Sequence, residues 1–159
     1  RAAATPGRGG DRPVSQPSLF GSPGGGAAVA NIDGGSRGNP GPAGYGVRIV
    51  LDDGSVIDLK AALGSATNNV AEYEGLLAAL RWAVAQGTTT LHIRSDSELL
   101  VKQMKGVYRV KNAGLQPLYE QACTLARKVG RVTFEHVRRE LNKDADRLAN
   151  EAMDEAAQL

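Results

Sequence analysis

Four acidic residues stand out because each lies near the predicted end of a different helix or strand. Asp33 follows an apolar run, and Asp96 follows a β-branched run. Glu72 and Asp146 each lie early in a predicted helix. Carboxylates that come together without partners repel one another, and a bound divalent cation is the usual relief. If these elements converge, the sequence predicts a metal site built from oxygen ligands.

Each acid also has a purely structural explanation when it is taken alone. The Asp-Gly-Gly-Ser run at 33–36 has the composition of a turn. Glu72 has the spacing of a helix capping box, and so does the Ser95-x-x-Glu98 run. Asp146 suits the first turn of a helix, where a carboxylate faces the positive end of the dipole. Only the occurrence of all four acids in one chain favours a site.

Hydrophobic periodicity predicts an α/β domain with the element order βββαβααβα. The predicted strands are 28–32, 45–51, 56–63, 90–94 and 131–137. The predicted helices are 69–86, a short helix that ends near 104, 115–129 and 143–157. This order indicates a mixed five-stranded sheet, with its first three strands antiparallel and helices on its faces.

Residues 1–27 are rich in Gly, Pro, Ala, Ser and Arg. Such a composition buries too little apolar surface to offset the entropy of ordering, so we expect a disordered tail before one domain at 28–159. The formal charge of +2 comes from the tail, with three arginines and one aspartate, and leaves the domain neutral. Any binding of nucleic acid must therefore rely on local patches.

The composition also bounds the cellular setting. No apolar run approaches the length that crosses a bilayer, and the single cysteine excludes a disulfide within the chain. We expect a cytoplasmic monomer with no membrane contact.

Four blocks of the chain resemble the signature blocks of type 1 ribonuclease H. They are NIDGGSRGNPGPAGYG, TNNVAEYEGLLAAL, the Asp96-Ser97 step, and HVRRELNKDADRLANEAM. The resemblance covers about residues 29–153 and fits the short form that lacks a basic protrusion. It implies the family's ribonuclease H-like fold. It also implies that the acidic quartet holds two Mg²⁺ or Mn²⁺ ions, and the quartet is Asp33, Glu72, Asp96 and Asp146.

The activity that this resemblance implies is hydrolysis of the RNA strand of an RNA–DNA hybrid during DNA replication, leaving 5′-phosphate and 3′-hydroxyl ends. Two hard cations activate the attacking water and stabilise the leaving oxygen, so no protein nucleophile is needed. The alternative is a related-fold protein that binds hybrid or branched DNA without cleaving it. A complete quartet favours the nuclease.

Expected substrate contacts lie beside these acids in the family's motifs. Gly34 and Gly35 are expected to let RNA sugars approach the backbone. The asparagines are expected to read 2′-hydroxyls in the minor groove, and they are Asn39, Asn68 and Asn69. Thr67 is expected to seat a phosphate of the DNA strand, although Ser65 replaces an arginine that relatives place in that pocket.

A run of basic residues around Tyr108 forms a predicted acid-free patch. Nucleic-acid binding and an ordinary solvated surface explain it equally well. Its members are Lys102, Lys105, Arg109 and Lys111.

Two residues compete for the role of assisting product release. Arg139 lies seven residues before Asp146, where a shorter-looped branch of the family carries arginine, and it is the predicted assistant. His136 has the offset of the histidine in many relatives, but it alternates with Val132 and Phe134 as a strand residue does. We therefore expect His136 to be structural.

The tail contains the peptide Gln16-Pro17-Ser18-Leu19-Phe20. It resembles the short peptides with which bacterial replication proteins dock onto the sliding clamp. A match of five residues arises easily by chance, and an ordinary linker is the alternative.

Overall fold

Five strands and four α-helices make up residues 26–159, the part of the chain that the computed structural model describes. The strands are β1 (Gly26–Ser36), β2 (Gly41–Leu51), β3 (Val56–Ala66), β4 (Thr88–Ser95) and β5 (Arg131–His136). The helices are α1 (Asn68–Gln86), α2 (Glu98–Met104), α3 (Gln116–Val129) and α4 (Lys143–Ala157). A short 3-10 helix at Arg139–Leu141 was not predicted. The predicted order βββαβααβα is confirmed.

The strands form one sheet in the order β3-β2-β1-β4-β5, so β1 lies at its centre. The first three strands pair antiparallel, whereas β4 and β5 join by parallel pairing. The predicted mixed sheet is therefore confirmed. Because β1 is hydrogen-bonded on both sides, a side chain on this strand has a closely fixed position.

Helices cover both faces of the sheet. Helices α1 and α3 pack on one face around a core whose fully buried members include Ile32, Leu76, Leu77, Leu80 and Ile93. Helix α4 packs on the other face, mainly against β2 and β3. No helix among residues 26–159 is both long and apolar enough to cross a membrane.

Glycines let both helix layers touch the backbone of the sheet. A Cβ on Gly34 would lie 2.4 Å from the carbonyl carbon and oxygen of Ala71 in α1. A Cβ on Gly46 would lie 2.5 Å from the carbonyl oxygen of Ala145 in α4. Such separations are far inside van der Waals contact, so only glycine fits at either position.

The structure corrects the predicted end of β1. This strand continues through Ser36, because Gly34 pairs with Tyr45 and Gly35 pairs with Gly44. The turn interpretation of residues 33–36 is therefore wrong. Gly34 also has a structural purpose that was not predicted, since its missing side chain admits the backbone of α1.

Helix caps also differ from those suggested by the sequence. Helix α1 begins at Asn68, and the Thr67 hydroxyl caps it by accepting a hydrogen bond of 3.2 Å from the Val70 N–H. Helix α2 is capped by Ser97, which accepts from the Leu100 N–H at 3.2 Å. The capping-box explanations for Glu72 and Glu98 are therefore wrong. The Glu72 carboxylate does not cap α1 and is available to the candidate site.

The predicted tail, apart from residues 26 and 27, lies outside the described residues, and so does the peptide at 16–20. The division into a disordered tail and a domain at 28–159 stays a prediction.

We expect Gly34→Ala to destabilise the protein by about 2 kcal/mol, because the added methyl group must push α1 away from β1. Gly35→Ala is the matched control, since its Cβ would meet the Met153 side chain at an ordinary 3.4 Å. Urea unfolding of both variants measures the difference. Equal stability of the two variants would contradict the assigned close contact.

Candidate active site

The structure brings the four predicted acids together. One carboxylate oxygen from each of Asp33, Glu72 and Asp96 lies within 4.8 Å of the other two. Asp146 lies close enough to Asp33 for its charge to raise the pKa of the Asp33 carboxyl. These carboxyls line a cavity of about 620 Å³.

Strand pairing places the first two acids side by side. Ile32 of β1 pairs with Ser95 of β4 in parallel register, so the next residues, Asp33 and Asp96, lie at the same edge of the sheet. Glu72 comes from the part of α1 that touches Gly34. The convergence of these three acids therefore follows from one strand pair and one helix contact.

Asn142 ties the fourth acid to the first. It is 1% exposed, and its Nδ2 donates to the Ile32 carbonyl oxygen at 2.9 Å. Its Oδ1 accepts from Asn31 Nδ2, also at 2.9 Å. A buried amide with both ends satisfied is a strong positional constraint. It joins the start of α4, which carries Asp146, to the residue before Asp33.

Burial and mutual repulsion raise the pKa values of this cluster. Burial raises the pKa of Asp33 to about 8, and the charges of Asp96 and Asp146 act in the same direction. Burial also raises the pKa of Glu72 to about 7, against a hydrogen bond from Ser97 that lowers it. The pKa of Asp96 is raised as well, chiefly by burial. Without a cation, the cluster therefore retains protons at neutral pH.

The donor set fits a hard divalent cation. All four groups are carboxylates, which Mg²⁺ and Mn²⁺ prefer, and no thiol or imidazole lies among them. A bound cation would replace the retained protons and remove the repulsion that raises the pKa values. Divalent-metal binding at this cluster is therefore chemically consistent with the residues present.

Basic side chains line the rim of the cavity. His136 ends β5, as the strand periodicity indicated, but it is exposed and lines the cavity. Arg138 and Arg139 follow it and also line the cavity. Arg139 is the larger of two positive influences that lower the pKa of Asp96, and His136 is the smaller. Both candidate assistants therefore lie at the site.

Hydrogen bonds fix the loop that joins β1 to β2. The Asn68 side-chain oxygen accepts from the Ser36 N–H at 2.7 Å. The Asn39 side-chain oxygen accepts from the Asn68 N–H at 3.1 Å. The amino groups of both asparagine side chains have no partner among residues 26–159. Two donors are thus available near the cavity.

The remaining predicted contacts do not line the cavity, although Gly34, Gly35 and Asn68 do. Thr67 and Asn69 lie beside it at the start of α1. Three basic residues are exposed on the segment after α2, and they are Lys105, Arg109 and Lys111. Lys102 pairs with Glu98 at 2.8 Å and lies 5.1 Å from the centre of the Tyr108 ring. The prediction of an acid-free patch was therefore wrong for Lys102.

The cavity-lining residues that the sequence interpretation missed include three polar ones, Arg37, Arg138 and Asn150. Asn150 lies four residues after Asp146 on the same helix, and its Nδ2 donates to the Asp146 carbonyl oxygen at 2.9 Å. That spacing puts both residues on one helical face and was a usable signal. Arg37 and Arg138 gave no comparable signal, because single arginines in loops are common.

Comparisons with known proteins agree on one family. The family model described as "Reverse transcriptase-like" matches residues 31–152. Bifunctional protein Rv2228c of Mycobacterium tuberculosis is 52% identical over 132 residues, which cover 82% of this chain and 36% of that protein. Ribonuclease HI of Halobacterium salinarum is 41% identical over 133 residues, which cover 83% of this chain and 67% of that protein. The chain therefore spans well under half of the mycobacterial relative.

Solved structures show the same architecture. The N-terminal RNase H domain of Rv2228c matches with a TM-score of 0.80 and 52% identity, covering 84% of this chain and 97% of that chain. LC11-RNase H1, solved in complex with an RNA/DNA hybrid, matches with a TM-score of 0.76 and 41% identity. That match covers 81% of this chain and 98% of the other.

The raised pKa of Asp33 gives a pH-dependent stability that can be measured on metal-free protein. The stabilising contribution of protonated Asp33 is full below its unfolded pKa near 4 and is lost as pH rises through about 8. Asp33→Asn removes this dependence. We therefore expect its stability relative to the parent to increase by about 4 kcal/mol between about pH 5 and pH 9, which is about three pH units at about 1.4 kcal/mol each.

Thermal unfolding in EDTA at each pH measures this difference. Added Mg²⁺ at about pH 8 should raise the Tm of the parent and leave that of Asp33→Asn nearly unchanged. Asp58→Asn is a control for loss of a carboxylate, because Asp58 lies outside the cavity and pairs with Arg48 at 2.8 Å. A pH-independent difference between Asp33→Asn and the parent would contradict the assignment.

Proposed function

The chain belongs to the type 1 ribonuclease H family, and we propose on that premise that it is an endonuclease for the RNA strand of RNA–DNA hybrids. The observation that carries the proposal is the cluster of Asp33, Glu72 and Asp96, with Asp146 lining the same cavity. A relative of the same fold was solved in complex with an RNA/DNA hybrid, which supports the substrate class.

The four carboxylates would hold two divalent cations, Mg²⁺ or Mn²⁺. When bound, such ions supply an activated water for attack on phosphorus and stabilise the leaving 3′ oxygen. The products are then a 5′-phosphate and a 3′-hydroxyl end. No serine, cysteine or histidine needs to attack the phosphate, and the mechanism therefore assigns no protein nucleophile.

The chain's own residues set the position of Asp33, which lies on the central strand beside Asp96. At this location Asp33 would help to hold both ions. Asn142 holds the adjacent backbone and the start of α4 in one arrangement. Because the ligands are placed before substrate arrives, little reorganisation accompanies the reaction.

Discrimination between RNA and DNA is assigned to donors beside the acids. The side-chain amino groups of Asn39 and Asn68 can donate to 2′-hydroxyl oxygens in the wide minor groove of the hybrid. Gly35 lies next to Asn68 and offers backbone without a side chain. We assign a contact with the DNA-strand phosphate to Thr67, because its hydroxyl proton is available while its oxygen caps α1. Asn69 is assigned to the same minor-groove set.

Lys105, Arg109 and Lys111 are assigned to the nucleic-acid backbone farther from the cavity. They are exposed on the segment between α2 and α3. The proposed contact is electrostatic and carries no base readout. Docking of the 16–20 peptide onto a sliding clamp, the monomeric state and a cytoplasmic role in DNA replication remain proposals of the same kind.

Cleavage of an end-labelled RNA–DNA hybrid in Mg²⁺ tests the function, with all-DNA and all-RNA duplexes of the same sequence beside it. We expect cleavage of the hybrid alone, and a loss of about 10²-fold or more in Asp33→Asn. EDTA should abolish the reaction, and ligation should detect the 5′-phosphate ends. Binding of the hybrid without any cleavage by the parent would favour the alternative of a non-catalytic binding protein.

Arg139 is proposed to assist departure of the product phosphate, because it lies at the cavity rim near Asp96. We expect Arg139→Ala to lower kcat at least about tenfold and His136→Ala to lower it less. Arg138→Ala is the matched control, since it removes an adjacent guanidinium from the same rim. Comparison of steady-state with single-turnover kinetics separates product release from the cleavage step. A larger loss of kcat in His136→Ala than in Arg139→Ala would assign the role to His136.

A further inference from the structure

A short ion pair stands beside the acidic cavity. Arg37 is the first residue after β1 and lines the cavity. Its Nη1 donates to Asp154 Oδ1 at 2.6 Å, and its Nη2 donates to Asn150 Oδ1 at 3.2 Å. Asn150 and Asp154 lie one and two turns after Asp146 on α4. The guanidinium therefore extends along the helical face that carries the fourth acid.

The backbone around Arg37 is held in place, whereas its side chain is not enclosed. The Arg37 N–H donates to the Pro42 carbonyl oxygen at 2.8 Å, and the neighbouring Ser36 N–H donates to Asn68. The side chains of Arg37 and Asp154 are 44% and 60% exposed. A rotation of the Arg37 side chain can therefore break the pair without moving the loop.

The Arg37–Asp154 ion pair is weak enough for a phosphate to replace Asp154. An ion pair between exposed side chains contributes little to stability, because water and salt screen the charges. A phosphate offers the guanidinium two oxygens in a bidentate arrangement and competes well with a carboxylate. Asp154 is a weak partner that a nucleic-acid backbone can replace.

We propose that Arg37 binds a backbone phosphate of the hybrid, and that Asp154 competes for Arg37 in the unbound protein. This inference rests on the proposed function, since it assumes that the cavity receives a hybrid. In the complex, Arg37 exchanges the Asp154 carboxylate for the phosphate and can keep its contact with neutral Asn150. Arg37 then offsets part of the repulsion between the phosphate backbone and the acidic cluster.

Removal of the competing Asp154 carboxylate should strengthen binding of the hybrid. We expect Asp154→Asn to lower the Kd for the hybrid about threefold. Arg37→Ala should raise the Kd about tenfold and reduce the slope of log Kd against log salt by about 1. In the Arg37→Ala background, Asp154→Asn should have no further effect.

Fluorescence anisotropy with a labelled hybrid in EDTA measures these constants while the RNA stays intact. Glu155→Gln is the matched control: it removes one negative charge from the next residue of α4, where Glu155 pairs with Lys60 at 2.7 Å outside the cavity. Arg37→Lys is a second variant that keeps the charge and loses the bidentate fork. It should bind with intermediate affinity.

Three results would overturn the inference. Weaker binding by Asp154→Asn would mean that the pair only braces the loop against α4. Equal tightening by Asp154→Asn and Glu155→Gln would mean that only the overall charge matters. Failure of the proposed function looks different, because the parent would then leave the hybrid uncleaved in Mg²⁺, whatever its affinity for the hybrid. A parent that cleaves while Arg37→Ala binds normally would overturn this inference alone.

Discussion

The four carboxylates of the candidate site repel one another, and the rest of the structure must hold them together against that repulsion. The acids come from β1, α1, the end of β4 and the first turn of α4, and burial makes their ionisation unfavourable. Such a cluster stays together only if strong contacts elsewhere hold each element. The central place of β1, the backbone contact at Gly34 and the buried Asn142 amide supply those contacts. The scaffold therefore maintains a site that would disperse if each element were free to move.

Most of the architecture could be predicted from the sequence, because periodicity reports directly which faces are buried. The element order and the mixed sheet were confirmed. The ends of β1 and α1 were not predicted correctly, since tertiary contacts decided them. Two glycines normally interrupt a strand, but here pairing with β2 continues through both, and the helix contact requires the first. Thr67 caps α1 because the chain enters the helix one residue earlier than its apolar pattern indicates.

The acids of the candidate site were predictable because their family motifs are long and occur together. The other residues that line the cavity were harder to predict, since they come from segments far apart in the chain. His136 illustrates the difficulty: alternation placed it in a strand, and that placement was right. Its position at the last residue of β5 nevertheless exposes it to the cavity, which periodicity does not reveal. Arg37 gave no signal in the sequence, because its hydrogen-bond partners lie on α4, far along the chain.

The close contact between Gly34 and α1 has a consequence for anyone who wishes to build this site elsewhere. Copying four carboxylates onto another sheet would not reproduce it, because the distance between Asp33 and Glu72 is set by backbone resting on backbone. The smallest transferable unit is the glycine-containing strand together with the helix that lies against it. In this chain the spacing of Asp33 and Glu72 is thus set by the packing of the main chain.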